Sequence, residues 1–107
     1  MLFSPDCSHC QKSTEEIISF KEKLKDIQII MVTLQSIDKM REFISTYKLN
    51  EISNIIVGKD ILYITPVFYG IRNFPFFALY NKKGELIVGR EGTLGMEQVV
   101  EIFKGQE

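Results

Sequence analysis

The chain contains two cysteines, and both fall in one short stretch, Cys7-Ser8-His9-Cys10. On the first turn of a helix, thiols at this spacing lie on nearly one face, close enough for their sulfurs to bond. The surrounding pattern calls for such a helix. Cys10, Thr14, Ile17, Phe20, Leu24 and Ile27 recur in steps of three and four, while Lys12, Glu15, Glu16, Lys23 and Lys25 take the opposite side. The spacing predicts a helix from Cys7 to about Lys25, with Asp6 or Ser8 as its cap. A helix start presents unpaired N–H groups and the positive end of the helix dipole, which favours a thiolate at Cys7. Cys10 opens the apolar stripe, so its thiol should stay protonated longer. The expected chemistry is thiol–disulfide exchange, with Cys7 attacking a disulfide and Cys10 displacing the product from the mixed disulfide.

Two blander uses of the pair fit less well. Structural zinc takes four ligands, usually two Cys or His pairs, and beyond the cysteines the stretch adds only His9, placed between them. A purely structural disulfide across so short a loop would constrain the unfolded chain little. No metal and no cofactor is therefore expected. His9 is the single histidine. When cationic it would help hold a thiolate at Cys7 and make the disulfide a stronger oxidant; the other reading is a solvated residue of minor effect. Asp6 acts in the opposite sense, disfavouring a neighbouring thiolate, unless it serves only as a cap.

The elements that must position this pair follow from the rest of the pattern. Leu2-Phe3 reads as the tail of a strand, turned by Ser4-Pro5-Asp6. Gln28 to Leu34 (QIIMVTL) is a continuous, β-branched apolar run, as in a parallel strand covered on both faces. Ser36 caps a second helix with Ile37, Met40, Ile44 and Tyr47 inward and Asn50 at its exit. Ile55-Ile56-Val57, ended by Gly58, is a further strand. Asp60 to Gly70 (DILYITPVFYG) has strand-forming residues, but Pro66 would break a central ladder, and Asp60 suits a short helix. Helix is the preferred reading. Phe76 to Tyr80, the turn Asn81-Lys82-Lys83-Gly84 and Glu85 to Val88 form an antiparallel hairpin. A closing helix runs from about Leu94 to Lys104, with Met96, Val99, Val100 and Phe103 inward and Gly105 beyond its end. The sum is an α/β fold: a mixed central sheet with helices on both faces.

Composition narrows the functional classes. At 107 residues the chain is sized for one domain, residues 1–107. A 45% hydrophobic and 25% charged composition is that of an ordinary globular protein. Fourteen acidic against thirteen basic side chains, net −1, give no electrostatic reason for nucleic acid as a partner. No apolar run reaches the roughly 18 residues of a membrane span, and no signal peptide precedes the cysteines. Two cysteines are too few for the disulfide framework of a small secreted protein.

Phe74-Pro75 completes a second motif. On local grounds Pro75 is an ordinary proline at a strand entry. Together, SPDCSHC at a helix head and Tyr69-Gly70-Ile71-Arg72-Asn73-Phe74-Pro75 before a hairpin containing Asn81-Lys82-Lys83-Gly84 resemble the thioredoxin superfamily. FSPDCSHCQ is most similar to its TlpA/ResA-like, AhpC/TSA-related branch, and the long interval from Cys7 to Pro75 suits that branch. The resemblance spans nearly the whole chain. It implies a thioredoxin-like fold, a cis-proline at Pro75 facing the cysteines, and a substrate strand hydrogen-bonded to the backbone of Phe74. Phe74 and Phe76 could add apolar contact, though Phe76 also reads as core.

Three departures stand beside it. The family's full strand before the first motif is short here, and the buried acid that often assists the resolving cysteine would fall on Met1. The chain thus reads as a single thioredoxin-like domain whose N-terminal strand is truncated. Phe76 stands where relatives often carry Thr. The peroxiredoxin signature is unmet, since Ser4 matches its Thr/Ser but has no proline ahead of it.

The expected function is a thiol–disulfide oxidoreductase working on protein dithiols and disulfides, with a redox-recycling partner. The alternative is a thioredoxin-fold binding or scaffolding module with little or no turnover. Resemblance places it in a bacterial periplasm or cell envelope; a chain complete at Met1 would instead be cytoplasmic.

Overall fold

The apolar runs become strands and the three-four-spaced segments become helices, as seen in the computed structural model, which describes residues 1–106. Their order is β1 (Leu2–Phe3), α1 (Ser8–Ser19), β2 (Ile29–Thr33), α2 (Ile37–Tyr47), a single 3₁₀ turn (Leu49–Glu51), β3 (Ile55–Lys59), α3 (Ile64–Tyr69), β4 (Phe76–Tyr80), β5 (Leu86–Glu91) and α4 (Met96–Lys104). The strands form one sheet in the order β3-β2-β1-β4-β5. β1, β2 and β3 are parallel, as the intervening helices require, while β4 runs antiparallel to β1 and forms a hairpin with β5. Gly84 supplies the left-handed turn residue of that hairpin at φ 79°.

Helices lie on both faces, but unequally. Register puts Phe3, Met31, Ile55, Phe77 and Leu79 on one face. They share an apolar cluster with Cys10 and Ile17 of α1, Phe43 of α2, and Met96 and Val99 of α4. On the other face, α3 lays Tyr69 against Phe76, with ring centroids 5.2 Å apart. Tyr69 also hydrogen-bonds Tyr80 through their hydroxyls. Beyond α3 that face is open: Ile30 and its register partner Ile56 are 54% and 56% exposed. The expectation that the QIIMVTL strand is covered on both faces is therefore corrected. Its apolar run fits the parallel ladder, but only alternate residues enter the core.

Other boundaries also move. α1 ends at Ser19 because the Phe20 N–H is shared between the Glu16 and Ile17 carbonyls and Lys21 steps back to Ile18, a three-residue stride. The chain continues in turns, and Leu24 still reaches the interior at 1% exposure. In α2 the deepest residue is Phe43, stacked on Phe3 with ring centroids 4.7 Å apart, and Ile37 is exposed. The stripe is centred one residue further on than expected, on Met40, Phe43, Ile44 and Tyr47. The helix leaves through Lys48 in the left-handed region at φ 53°, not through Asn50.

The Asp60–Gly70 segment resolves as expected into a short helix. Asp60 accepts hydrogen bonds from Ile64 N, Thr65 N and Thr65 Oγ1, at 3.1, 2.7 and 2.7 Å. Pro66 sits in the first turn, where its missing N–H costs nothing. These bonds hold the Asp60 carboxyl below its usual pKa, the Thr65 hydroxyl contributing most.

Candidate redox site

Parallel β1 and β2 end side by side, and the chain leaving β1 turns at once into α1. Cys7 N donates to Ser4 O at 3.1 Å, and Gln11 Nε2 reaches back to Pro5 O at 2.9 Å, fixing that turn. The helix cap is neither Asp6 nor Ser8. It is Cys7 itself, in extended conformation, whose sulfur accepts the Cys10 N–H at 3.3 Å. The reason is geometric: the turn is one residue longer than a cap at Asp6 would need, so Cys7 occupies the position that normally takes an oxygen.

The two sulfurs have different surroundings. Cys7 is half-buried, Cys10 has no exposed surface, and both are free thiols. Burial pushes the Cys10 thiol up to about 12; the hydrogen bond to the Cys7 sulfur adds to this, and a backbone hydrogen bond at Ser4 opposes it. Thr14 Oγ1 donates to Cys10 O at 2.8 Å. The division into an accessible and a buried sulfur is the one that the helical spacing predicts.

His9 is exposed on the first turn of α1. Asp6 binds Lys39 Nζ at 2.7 Å, both side chains largely exposed. The negative charge beside Cys7 is therefore answered by an ammonium from α2, a partner that no local pattern announces.

Phe74 and Pro75 come to the same end of the sheet. Leu2 of β1 stands opposite Phe76 of β4, so Pro75 lies beside the end of β1 that leads to Cys7. The Phe74–Pro75 peptide is cis and Pro75 is fully buried. Its carbonyl accepts from Gly92 N at 2.8 Å, and Glu91 Oε1 accepts from Arg72 N at 2.6 Å, tying this loop to the end of β5. Phe74 is half-buried against the core, and Phe76 is buried, which settles its reading as core.

The comparisons with known proteins bear on this arrangement. No family model and no curated protein matches the chain. Solved structures do. A candidate thioredoxin from Neisseria meningitidis superposes with TM-score 0.81 at 20% identity, over 98% of this chain and 70% of that one. The exposed lipoprotein thioredoxin Etrx1 from Streptococcus pneumoniae gives 0.73 at 20% identity, over 97% and 80%. StoA from Bacillus subtilis gives 0.74 at 23% identity, over 94% and 76%.

The fold is thioredoxin-like. Within that thioredoxin-like fold, the matches run over nearly the whole chain and fall on TlpA/ResA-like thiol-disulfide proteins.

Among the described residues, no group of three or more His, Cys, Asp and Glu side chains is arranged to hold a metal ion. No described helix is long and apolar enough to cross a membrane. A hollow of about 480 Å³ lined by Arg41, Ile44, Ser45, Lys48, Asn50 and Glu51 lies at the exit of α2, the opposite end from Ser36 and the cysteines.

Proposed function

We propose that the protein is a thiol–disulfide oxidoreductase exchanging disulfides with protein substrates through Cys7 and Cys10. The observation that carries this reading is the asymmetry of the two cysteines: the Cys7 sulfur is partly accessible at a helix N-terminus, while Cys10 is buried and its backbone N–H binds that sulfur at 3.3 Å. The Cys7 thiolate attacks one sulfur of a substrate disulfide, the S–S bond breaks, and the departing thiolate takes a proton. The Cys10 thiol then gives up its proton and attacks the Cys7 sulfur. The mixed disulfide breaks, the second substrate thiolate leaves, and a Cys7–Cys10 disulfide forms. Two electrons and two protons have passed to the substrate, and a partner dithiol reverses the change.

By the resemblance, the backbone of Phe74 would pair with an extended substrate strand. His9, when cationic, would favour the thiolate, while the Asp6–Lys39 pair leaves little net charge to oppose it. A location in the cell envelope is supported by the pneumococcal match, which is described as an exposed lipoprotein.

Insulin reduction by the dithiol form, together with trapping by Cys10→Ser, tests the proposal. The expected results are turnover by the wild type and covalent adducts through Cys7 in the variant. A protein that reduces nothing and traps nothing is a binding module without turnover, the competing reading.

A further inference from the structure

The approach to α3 and its outer side carry an unusual surface. Ile61, Leu62, Tyr63, Ile64, Val67 and Phe68 are all exposed, with Leu62 at 75%, Val67 at 81% and Phe68 at 74%. No charged residue occurs from Ile61 to Ile71. Together the six leave on the order of 700 Å² of apolar area, above the roughly 300–600 Å² of the largest patch on a typical monomer.

This surface is not a slack loop. The Asp60 carboxylate fixes its start through three hydrogen bonds. Tyr63 is held in the left-handed region at φ 55°, uncommon for a bulky residue, with its side chain outward. Tyr69 anchors the other end on Phe76. A segment built to hold its apolar side chains in water is pre-organised for a contact.

Its place in the fold selects the partner. Asp60 N donates to Thr33 O at the end of β2, next to the end of β1, and the segment runs on without a break into Phe74–Pro75. The ridge is thus continuous with the rim of the redox site. We propose that Ile61–Phe68 docks an apolar stretch of polypeptide flanking the substrate disulfide, giving the protein a preference for cysteines in apolar sequence. This rests on the oxidoreductase reading above. A membrane surface is the weaker fit, because the segment lacks the interfacial Trp and the row of Lys and Arg that favour anionic lipid.

The test uses two synthetic peptide disulfides of equal length, one with Leu and Phe flanks and one with Ser and Gly flanks, beside a small aromatic disulfide. Wild type, the double variant Val67→Glu/Phe68→Lys, and Ile37→Ser, an exposed apolar position off the ridge, are compared. Wild type should reduce the apolar peptide with a kcat/KM about tenfold or more above the polar one. The double variant should lose that preference while keeping its rate on the small disulfide, and Ile37→Ser should keep both. Equal kcat/KM for the two peptides, with the small disulfide still reduced, overturns the docking site and leaves the oxidoreductase reading intact. Failure of wild type on all three disulfides removes both. Sedimentation showing a dimer split by the double variant, or retention on phosphatidylglycerol vesicles lost in it, would assign the ridge to a second copy or to lipid and overturn the proposal.

Discussion

Glu16 offers the sharpest test of how the redox helix is held. Its Oε1 accepts the Met96 N–H at 2.5 Å, bridging 80 residues of sequence and closing the N-terminus of α4 from the side of α1. The α4 cap position is Gly95, which has no side chain to replace that bond. A lost N-cap costs about 0.5–2 kcal/mol and a hydrogen bond to a charged group about 1.5–3 kcal/mol. Glu16 is half-buried, so the lower part of these ranges applies. Glu16→Ala should therefore destabilise the fold by about 1.5 kcal/mol, and Glu16→Gln, which keeps an acceptor but loses the charge facing the helix dipole, by about half as much. With a urea slope of about 1.5 kcal/mol/M, the Ala variant's midpoint falls by about 1 M. Both variants should also show faster amide exchange at Met96. If both stay within about 0.5 kcal/mol of wild type, as an ordinary surface substitution does, the bridge contributes nothing and the reasoning fails.

Three more outcomes are expected. Ser13 Oγ is buried with no hydrogen-bond partner among the described residues, so Ser13→Ala should raise stability by about 1 kcal/mol in thermal or urea unfolding; a loss of stability would reveal an unseen partner. Cys7→Ser should retain the cap of α1 and Cys7→Ala should lose it, separating the two variants by about 1 kcal/mol in unfolding experiments; equal stabilities would deny the sulfur its capping role. The Cys10 thiol is pushed up to about 12 from an unfolded value near 9. The unfolded chain therefore ionises first, and Cys10 erodes stability as pH rises through the window from about 9 to about 12. Wild type should lose stability across that window more steeply than Cys10→Ser, and at neutral pH iodoacetamide should label Cys7 well before Cys10.

The sequence was most legible where chemistry and periodicity reinforced each other. The Cys-x-x-Cys spacing, the stripe from Cys10 to Leu24 and the Asn81–Gly84 turn each follow from local geometry, and the structure keeps all three. Asp60 and Pro66 likewise told helix from strand in a segment whose propensities pointed the other way. Boundaries were less legible. Where α1 yields to turns after Ser19 depends on competition between two carbonyls for one N–H, and no residue type marks it. The long-range partners were not legible at all. Lys39 meeting Asp6 and Glu16 meeting Met96 depend on which helices share a face of the sheet, and a single chain pattern does not carry that. The open face around Ile30 and Ile56 belongs to the same class, since an apolar run announces burial without saying on which side.

The cap at Cys7 has a kinetic consequence. The sulfur that receives the Cys10 N–H is the same atom that would bond to another sulfur in the exchange proposed above. Half of a disulfide is a neutral, weak acceptor, so the bond closing the first turn of α1 would weaken on that step and re-form when the dithiol returns. On that proposal, one helical turn would open and close with each exchange.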